Sequence, residues 1–154
     1  MPSILFICTA NQCRSPMAEV IGRDRLTRRY PATEWRIGSA GVRAVDGYPA
    51  TPASATVAGR HGFDLSRHSS RPLSPALVAE TDLLVTMEMA HKRAILAAFP
   101  ESEARVFTLA ELVGESGDVD DPIGLPMEEY VRTYALLDEW IGQALPRMGE
   151  LLNL

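Results

Sequence analysis

The sequence predicts an α/β fold of three layers, in which helices cover both faces of a four-stranded parallel sheet. Short apolar runs of strand length alternate along the chain with longer segments of helical periodicity, an order typical of βαβ units. The first run, residues 3–8 (SILFIC), is almost entirely apolar, as a central strand buried on both faces requires. Crossovers between parallel strands are right-handed, so we expect a doubly wound sheet.

Each predicted element has local signals at its ends. The predicted strands are residues 3–8, 35–40, 82–87 and 105–109, and the predicted helices are residues 15–29, 52–62, a short segment from 75, 89–99 and a terminal helix from 127. Ser15 and Ser74 each precede a proline and are predicted N-caps, whereas Gly62 and Pro100 end helices. The terminal helix repeats apolar residues at helical spacing: Met127, Tyr130, Val131, Tyr134, Leu137, Ile141, Ala144, Leu145 and Met148.

Composition is that of one ordinary domain, which we expect to span residues 1–154, with 46% hydrophobic and 23% charged residues. No apolar run approaches the roughly 18 residues that a membrane span needs, and the first strand begins too early for a signal peptide. Cys8 and Cys13 have the spacing of neither a disulfide framework nor a zinc site. We therefore expect a cytoplasmic protein with reduced thiols, no metal and no membrane partner. A monomer without a cofactor is also expected.

Charge is distributed unevenly along the chain, whose net charge is -5. Residues 1–71 contain ten arginines and five acidic residues, whereas residues 72–154 contain five basic and fifteen acidic residues. Such asymmetry can indicate a polyanion partner, but no basic run with interleaved aromatic residues is present. We therefore expect no nucleic-acid partner.

The loop after the first strand is the predicted ligand site, because flavodoxin-like sheets bind ligands beyond the carboxyl ends of their strands. Its residues Thr9, Ala10, Asn11, Gln12, Cys13, Arg14 and Ser15 are predicted to bind phosphate or another oxyanion. Backbone N–H groups that lead into a helix N-terminus form an anion site, and the Arg14 guanidinium can hold two phosphate oxygens. The same positive groups favour a thiolate at Cys8, which would be a nucleophile. The alternative is that Cys8 is only a small buried side chain.

A phosphoryl transfer to cysteine also needs an acid that protonates the leaving group. Asp121 is the candidate, since it lies in the long predicted loop of residues 114–126 and precedes Pro122. Proline restricts the residue before it to extended conformations, so the Asp121 side chain would have a defined direction. The alternative is an acidic turn without a chemical role.

These residues resemble a known family. The loop from Cys8 to Ser15, with Pro16-Met17-Ala18-Glu19 behind it, resembles the signature of the low-molecular-weight protein tyrosine phosphatases. The resemblance extends over nearly the whole chain, through Ser39-Ala40-Gly41, residues 62–68, the strand before Met87 and Asp121-Pro122. It implies a protein phosphatase, a hydrolase that needs no cofactor and acts on phosphorylated protein.

The resemblance also implies roles for individual residues. Cys8 would be the nucleophile, Arg14 would bind the phosphoryl group, and Asp121 would act as general acid and then as general base. Asn11 would hold the loop through hydrogen bonds to Ser39 and His68, and the Ser15 hydroxyl would stabilise the Cys8 thiolate. The remaining histidines are expected to be surface residues: His61 and His91.

The sequence leaves two alternatives for the leaving group, the side chain of tyrosine or that of arginine. Ile123-Gly124 follow Asp121-Pro122 where many tyrosine-specific members have aromatic residues, so one wall of the cleft is aliphatic, with Gln12 and Tyr48 as the other candidates. The second half of the chain is similar to the bacterial subgroup that contains protein arginine phosphatases, although Gln12 stands where that subgroup has a selective threonine. We predict hydrolysis of phosphotyrosine first, with phosphoarginine as the alternative.

Three further possibilities concern the same loop. Cys8 and Cys13 are predicted to form a reversible disulfide under oxidation, which would protect Cys8 from overoxidation; the alternative is that Cys13 only packs beneath the loop. Arsenate reduction is less favoured, because the thioredoxin-coupled form needs further cysteines. A non-catalytic phosphate-binding module would not need both Cys8 and Asp121.

Overall fold

A computed structural model describes residues 1–154. The strands are β1 (Ser3–Cys8), β2 (Arg36–Gly41), β3 (Leu83–Thr86) and β4 (Val106–Thr108). The helices are α1 (Arg14–Arg29), α2 (Pro52–Arg60), α3 (Pro75–Ala79), α4 (Met89–Ala98), α5 (Leu109–Leu112) and α6 (Met127–Leu151), and Pro100–Arg105 forms a 3₁₀ helix.

The strands form one parallel sheet in the order β2-β1-β3-β4. β1 is central, with Cys8 paired to Gly41 on one side and Ile7 paired to Thr86 on the other. The winding direction therefore changes at β1, which is where doubly wound sheets bind ligands. The predicted three-layer, flavodoxin-like class is confirmed.

Alternate residues of β1 pack on the two faces of the sheet, as the period of a strand requires. Ile4 and Phe6 belong to the larger apolar core, under α1, α2, α5 and α6, whereas Leu5 and Ile7 belong to a smaller core under α3 and α4. Both cores fix the carboxyl end of β1, so the loop that follows starts from a rigid point.

Some sequence-based expectations are wrong in detail. Ser15 does not cap α1, because Cys13 occupies the N-cap position and makes no side-chain cap bond. The fourth strand ends early because Thr108 and Glu111 form a capping box that starts α5, a single turn too short to show periodicity. Ser74 does cap α3, by accepting the Leu77 N–H.

Two members of the predicted apolar face of the terminal helix do not enter the core. Met127 is 38% exposed and Val131 is 41% exposed, near the N-terminus of α6. The other end of the face behaves as predicted, since Leu137, Ile141, Ala144 and Met148 are fully buried. The first turns of α6 therefore border solvent beside the loop of residues 114–126.

None of the helices combines the length and the apolar character that crossing a bilayer demands.

Candidate active site

Two local conditions allow the loop between β1 and α1 to form a tight turn. Asn11 has a φ of 58°, the left-handed conformation that asparagine tolerates better than most residues. Gly41 gives room for the loop, because a Cβ atom there would lie 2.5 Å from the Thr9 carbonyl oxygen and 2.9 Å from the Asn11 nitrogen. Both conditions place the loop against the end of β2.

The carbonyl groups of the loop are held by neighbouring segments. The Cys8 and Thr9 carbonyls accept the N–H groups of Val42 and Arg43, and the Gln12 carbonyl accepts the Thr51 N–H. By contrast, none of the N–H groups of residues 9–13 donates to another protein atom. Outward carbonyls with unpaired N–H groups are the arrangement that binds an oxyanion.

Cys8, Ser15 and Asn11 form a buried chain of side chains. The Ser15 Oγ lies 3.0 Å from the Cys8 Sγ, and the Asn11 Nδ2 donates to that Oγ over 2.8 Å. Because Ser15 accepts from Asn11, its own hydroxyl proton is available to the sulfur. The structure therefore places the Ser15 hydroxyl where it can donate to the Cys8 sulfur.

The supports of Asn11 differ in part from the expected ones. His68 donates from Nε2 to the Asn11 backbone carbonyl over 2.6 Å, and the Asn11 Oδ1 accepts the Arg71 N–H. The expected bond between Asn11 and Ser39 is wrong, because the Ser39 Oγ donates to Glu19 over 2.7 Å. The Asn11 amide instead binds Ser15 and Arg71, while the Ser39 hydroxyl proton is used on Glu19.

Arg14 is the largest fully buried side chain, with 1% exposure. Its Nη1 donates to the Glu88 Oε2 over 2.5 Å and to the Val119 carbonyl over 2.8 Å. Its Nη2 lies 3.4 Å from the Thr9 Oγ1, and its Nε has no protein partner. A buried guanidinium with one unpaired donor fits an anion between Nε and Nη2.

Asp121 reaches the same guanidinium from the far half of the chain. Its Oδ2 lies 3.5 Å from the Arg14 Nη2, and its side chain is 36% exposed. Its Oδ1 accepts the N–H of Ile123, which fixes the direction of the carboxyl group. The Asp121 carboxyl group thus lies beside the guanidinium that is suited to bind an anion, and it is open to solvent. An acid in this position can exchange protons with a leaving group or with water.

Sequence reasoning missed Glu88 and misplaced His91. His91 is buried, not a surface residue: its Nε2 lies 2.9 Å from the Thr9 Oγ1, and its Nδ1 accepts the Glu88 N–H. Burial, with a smaller contribution from Arg14, lowers the pKa of His91. The available signal was that β3 also ends beside β1, so that residues just after Met87 had to lie near the loop. His61 is exposed as expected and stacks on Tyr134 at 4.0 Å.

Cys13 lies beneath the loop, 6% exposed. Burial raises the pKa of its thiol to about 12, although a hydrogen bond with Ser54 opposes the rise. Cys13 is therefore a thiol at neutral pH, and both cysteines are free.

Two of the three predicted cleft residues stand at the surface, and Gln12 is half-buried. Tyr48 is 53% exposed and Ile123 is 59% exposed, whereas the Gln12 Nε2 donates to the Pro49 carbonyl. Gln12 is thereby directed toward the segment that carries Tyr48. The two exposed side chains are free to contact a substrate.

Comparisons with known proteins agree with this geometry. A family model described as low molecular weight phosphotyrosine protein phosphatase matches residues 3–152. The chain is 36% identical over 149 residues to a probable low molecular weight protein-tyrosine-phosphatase, EpsP, of Ralstonia solanacearum, with 97% of each chain covered. It is 37% identical over 141 residues to a protein-arginine-phosphatase of Bacillus subtilis, covering 91% of this chain and 92% of the relative. A solved structure of a YwlE arginine phosphatase mutant, with a phosphorylated active site serine, matches with a TM-score of 0.88 at 34% identity over 96% of each chain.

Proposed function

The chain belongs to the low molecular weight phosphotyrosine protein phosphatase family, and we propose that it hydrolyses phosphorylated protein side chains through a phosphate ester of Cys8. The observation that carries the proposal is the Ser15 hydroxyl 3.0 Å from the Cys8 Sγ, inside a loop of unpaired N–H groups. That hydroxyl stabilises a thiolate both before attack and when the sulfur leaves. The whole chain, residues 1–154, acts as one domain.

In the first step the Cys8 thiolate attacks phosphorus, the S–P bond forms and the bond to the leaving group breaks. Asp121 gives its proton to the leaving atom, and Arg14 with the loop N–H groups stabilises the charge on the phosphoryl oxygens. In the second step Asp121 takes a proton from water, the water oxygen attacks phosphorus, and the Cys8 thiolate leaves. The phosphorylated active site serine of the YwlE mutant supports a covalent intermediate at this position.

A trapping experiment tests the covalent step. Protein with Asp121→Ala, mixed with an aryl phosphate without added metal and quenched in acid, should carry one phosphoryl mass on the Cys8 peptide. Cys8→Ser should lose turnover, since a hydroxyl is a far weaker nucleophile than a thiolate. Undiminished turnover by Cys8→Ser would contradict the mechanism, and phosphate binding without any turnover by the wild-type protein would favour the non-catalytic binding module.

Phosphotyrosine is the proposed first substrate. The family match and the relative EpsP support it, and Tyr48 and Ile123 are exposed where they can contact a leaving group. Phosphoarginine is the second candidate, because the Bacillus subtilis protein-arginine-phosphatase is similar over most of both chains. Matched peptides that carry either residue decide between them: a kcat/KM preference for phosphoarginine above about tenfold, roughly 1.4 kcal/mol, would overturn the first choice.

Oxidation of the loop is proposed as a reversible protection. Peroxide oxidises the Cys8 thiolate to a sulfenic acid, and the Cys13 thiol then attacks that sulfur, forming the disulfide and releasing water. Because the pKa of Cys13 is about 12, little thiolate is present and ring closure should be slow. If Cys13→Ala protein treated with peroxide and then dithiothreitol recovered as fully as wild type, this role would be excluded.

We expect a cytoplasmic monomer that acts on phosphorylated proteins and binds phosphate or related oxyanions, without a nucleic-acid or membrane partner. Arsenate reduction stays the less favoured alternative, because Cys8 and Cys13 are the only cysteines. Analytical ultracentrifugation of the purified chain measures the oligomeric state directly.

A further inference from the structure

The first turn of α4 contacts the Cys8 loop through two side chains that take no part in the chemistry proposed above. Glu88, the N-cap of α4, accepts from the Arg14 Nη1, and His91, three residues later, meets the Thr9 hydroxyl. Both partners belong to the loop, although more than 70 residues separate them from α4 in sequence. The contacts exist because β1 and β3 are neighbours in the sheet.

The hydrogen bonds of His91 define which ring nitrogen carries the proton. The Glu88 backbone N–H donates to Nδ1 over 3.1 Å, so Nδ1 is an acceptor and is not protonated. The single proton of the neutral ring is therefore on Nε2, which donates to the Thr9 Oγ1 over 2.9 Å. The Thr9 Oγ1 also accepts from the Arg14 Nη2 over 3.4 Å. This oxygen therefore accepts hydrogen bonds from both His91 and Arg14.

The hydrogen bonds of Arg14 define which edge of the guanidinium is available. Both protons of Nη1 have partners, one on Glu88 and one on the Val119 carbonyl. Nη2 contacts only Thr9 and Asp121 at 3.4 and 3.5 Å, and Nε has no protein partner. Glu88 and Val119 thus hold one side of the guanidinium and leave the Nε–Nη2 edge for two oxygens of one anion.

We propose that Glu88 and His91 are positioning residues: Glu88 orients the Arg14 guanidinium, and neutral His91 orients the Thr9 hydroxyl beside it. The proposal rests on the phosphatase function proposed above. A rigid guanidinium presents a preformed pair of donors to the phosphoryl oxygens, whereas a mobile one must be ordered during each turnover.

A purely structural role is the competing explanation, because Glu88 and His91 also form the capping box of α4. Two substitutions separate the roles. In Glu88→Ser the side chain remains a good N-cap but is too short to reach Arg14. In His91→Gln the amide oxygen can accept the Glu88 N–H, as glutamine does in capping boxes, while its NH₂ group can still donate to Thr9.

The experiment measures kcat and KM for an aryl phosphate together with the Kd of inorganic phosphate by calorimetry. Glu88→Ser is expected to lower kcat/KM by roughly 100-fold, mostly in kcat, and to weaken phosphate binding, whereas Glu88→Gln should recover most of the loss. Lys92→Ala is the matched control, since it removes the ion pair with Glu111 on the same turn of α4 without touching the loop. Wild-type kcat/KM and phosphate Kd in Glu88→Ser would overturn the proposal.

The link between His91 and Thr9 is tested by a double-mutant cycle on kcat/KM. If His91 acts through Thr9, His91→Ala and Thr9→Val together should cost no more than the larger single change, and His91→Gln should recover activity. Additive losses would overturn the role of His91. Failure of the phosphatase function is distinguishable, because wild-type protein would then lack turnover, while the phosphate Kd of Glu88→Ser would still report on Arg14.

Discussion

Two segments meet at the Arg14 guanidinium: residues 9–15, which include Arg14, and residues 114–126. They are held in place differently. In the first segment Asn11, Arg14 and Ser15 are buried, and neighbouring segments bind the loop carbonyls. In the second segment only Val119 and Pro122 are buried, and Asp121 is exposed. Val119 anchors that segment, by donating to the Met87 carbonyl and accepting from Arg14. The oxyanion site is thus part of the folded core, whereas the proton donor sits on a lightly attached loop.

Because Asp121 lies on the lightly attached loop, Asp121→Asn should lower activity with little effect on stability. The amide keeps the shape and can accept the Ile123 N–H, but it cannot give or take the proton, so kcat should fall by about 10²- to 10⁴-fold. Because the side chain is exposed, the free energy of unfolding should change by no more than about 0.5 kcal/mol. Steady-state kinetics and urea denaturation of the same preparation measure both quantities. A large loss of stability would show that the loop is more firmly built into the core than its exposure indicates.

Asn11→Ala should damage both properties. It removes the acceptor of the Arg71 N–H and the donor to the buried Ser15, and it places alanine at a φ of 58°. We expect the free energy of unfolding to fall by about 2–3 kcal/mol, with a matching loss of kcat because the Ser15 hydroxyl loses its orientation.

Asn11→Gly is the matched control for that substitution. Glycine adopts the left-handed conformation without strain but also lacks the side-chain bonds. The difference in unfolding free energy between the two variants therefore gives the backbone cost, expected at about 1 kcal/mol. Wild-type stability in Asn11→Ala would refute the view that folding holds this loop in shape.

His91 connects the loop to α4 and should make stability depend on pH. Its pKa is lowered in the folded protein by burial and by Arg14, although Glu88, Asp118 and Asp121 oppose the shift. The unfolded chain binds the proton more tightly, so the free energy of unfolding should fall as the pH decreases below about 6.5 toward the folded pKa. Thermal unfolding at pH 7.5 and 5.5 should show a larger loss of Tm for wild type than for His91→Gln. Equal losses would mean that His91 does not titrate differently in the two states.

The fold, and part of the spatial arrangement of the candidate site, could be predicted from the sequence. Local signals identified the buried β1 strand, the Cys8 loop and Asp121, since strand length, loop spacing and an Asp-Pro pair are visible in short windows. Glu88 could not be found this way, because its partner Arg14 becomes a neighbour only when β3 pairs with β1. Ser39 was assigned to Asn11, but it donates to Glu19 on the helix that follows the loop. Which of several polar partners a side chain chooses depends on packing distances that the sequence does not contain.

The smallest expected effect concerns selectivity at the rim of the lightly attached loop. Ile123 is 59% exposed, so Ile123→Phe should leave the free energy of unfolding within about 0.5 kcal/mol of wild type. An aromatic ring there can stack on the ring of phosphotyrosine, and such pairs contribute about 0.5–1.5 kcal/mol, which corresponds to a gain in kcat/KM of roughly 2- to 12-fold. A phosphoarginine peptide of the same sequence should gain less, because its guanidinium lacks the aromatic ring, and Ile123→Leu controls for size without a ring. Equal gains for both peptides would indicate that this side chain contacts the peptide backbone and not the leaving group. No gain for either would mean that residue 123 does not contact the leaving group.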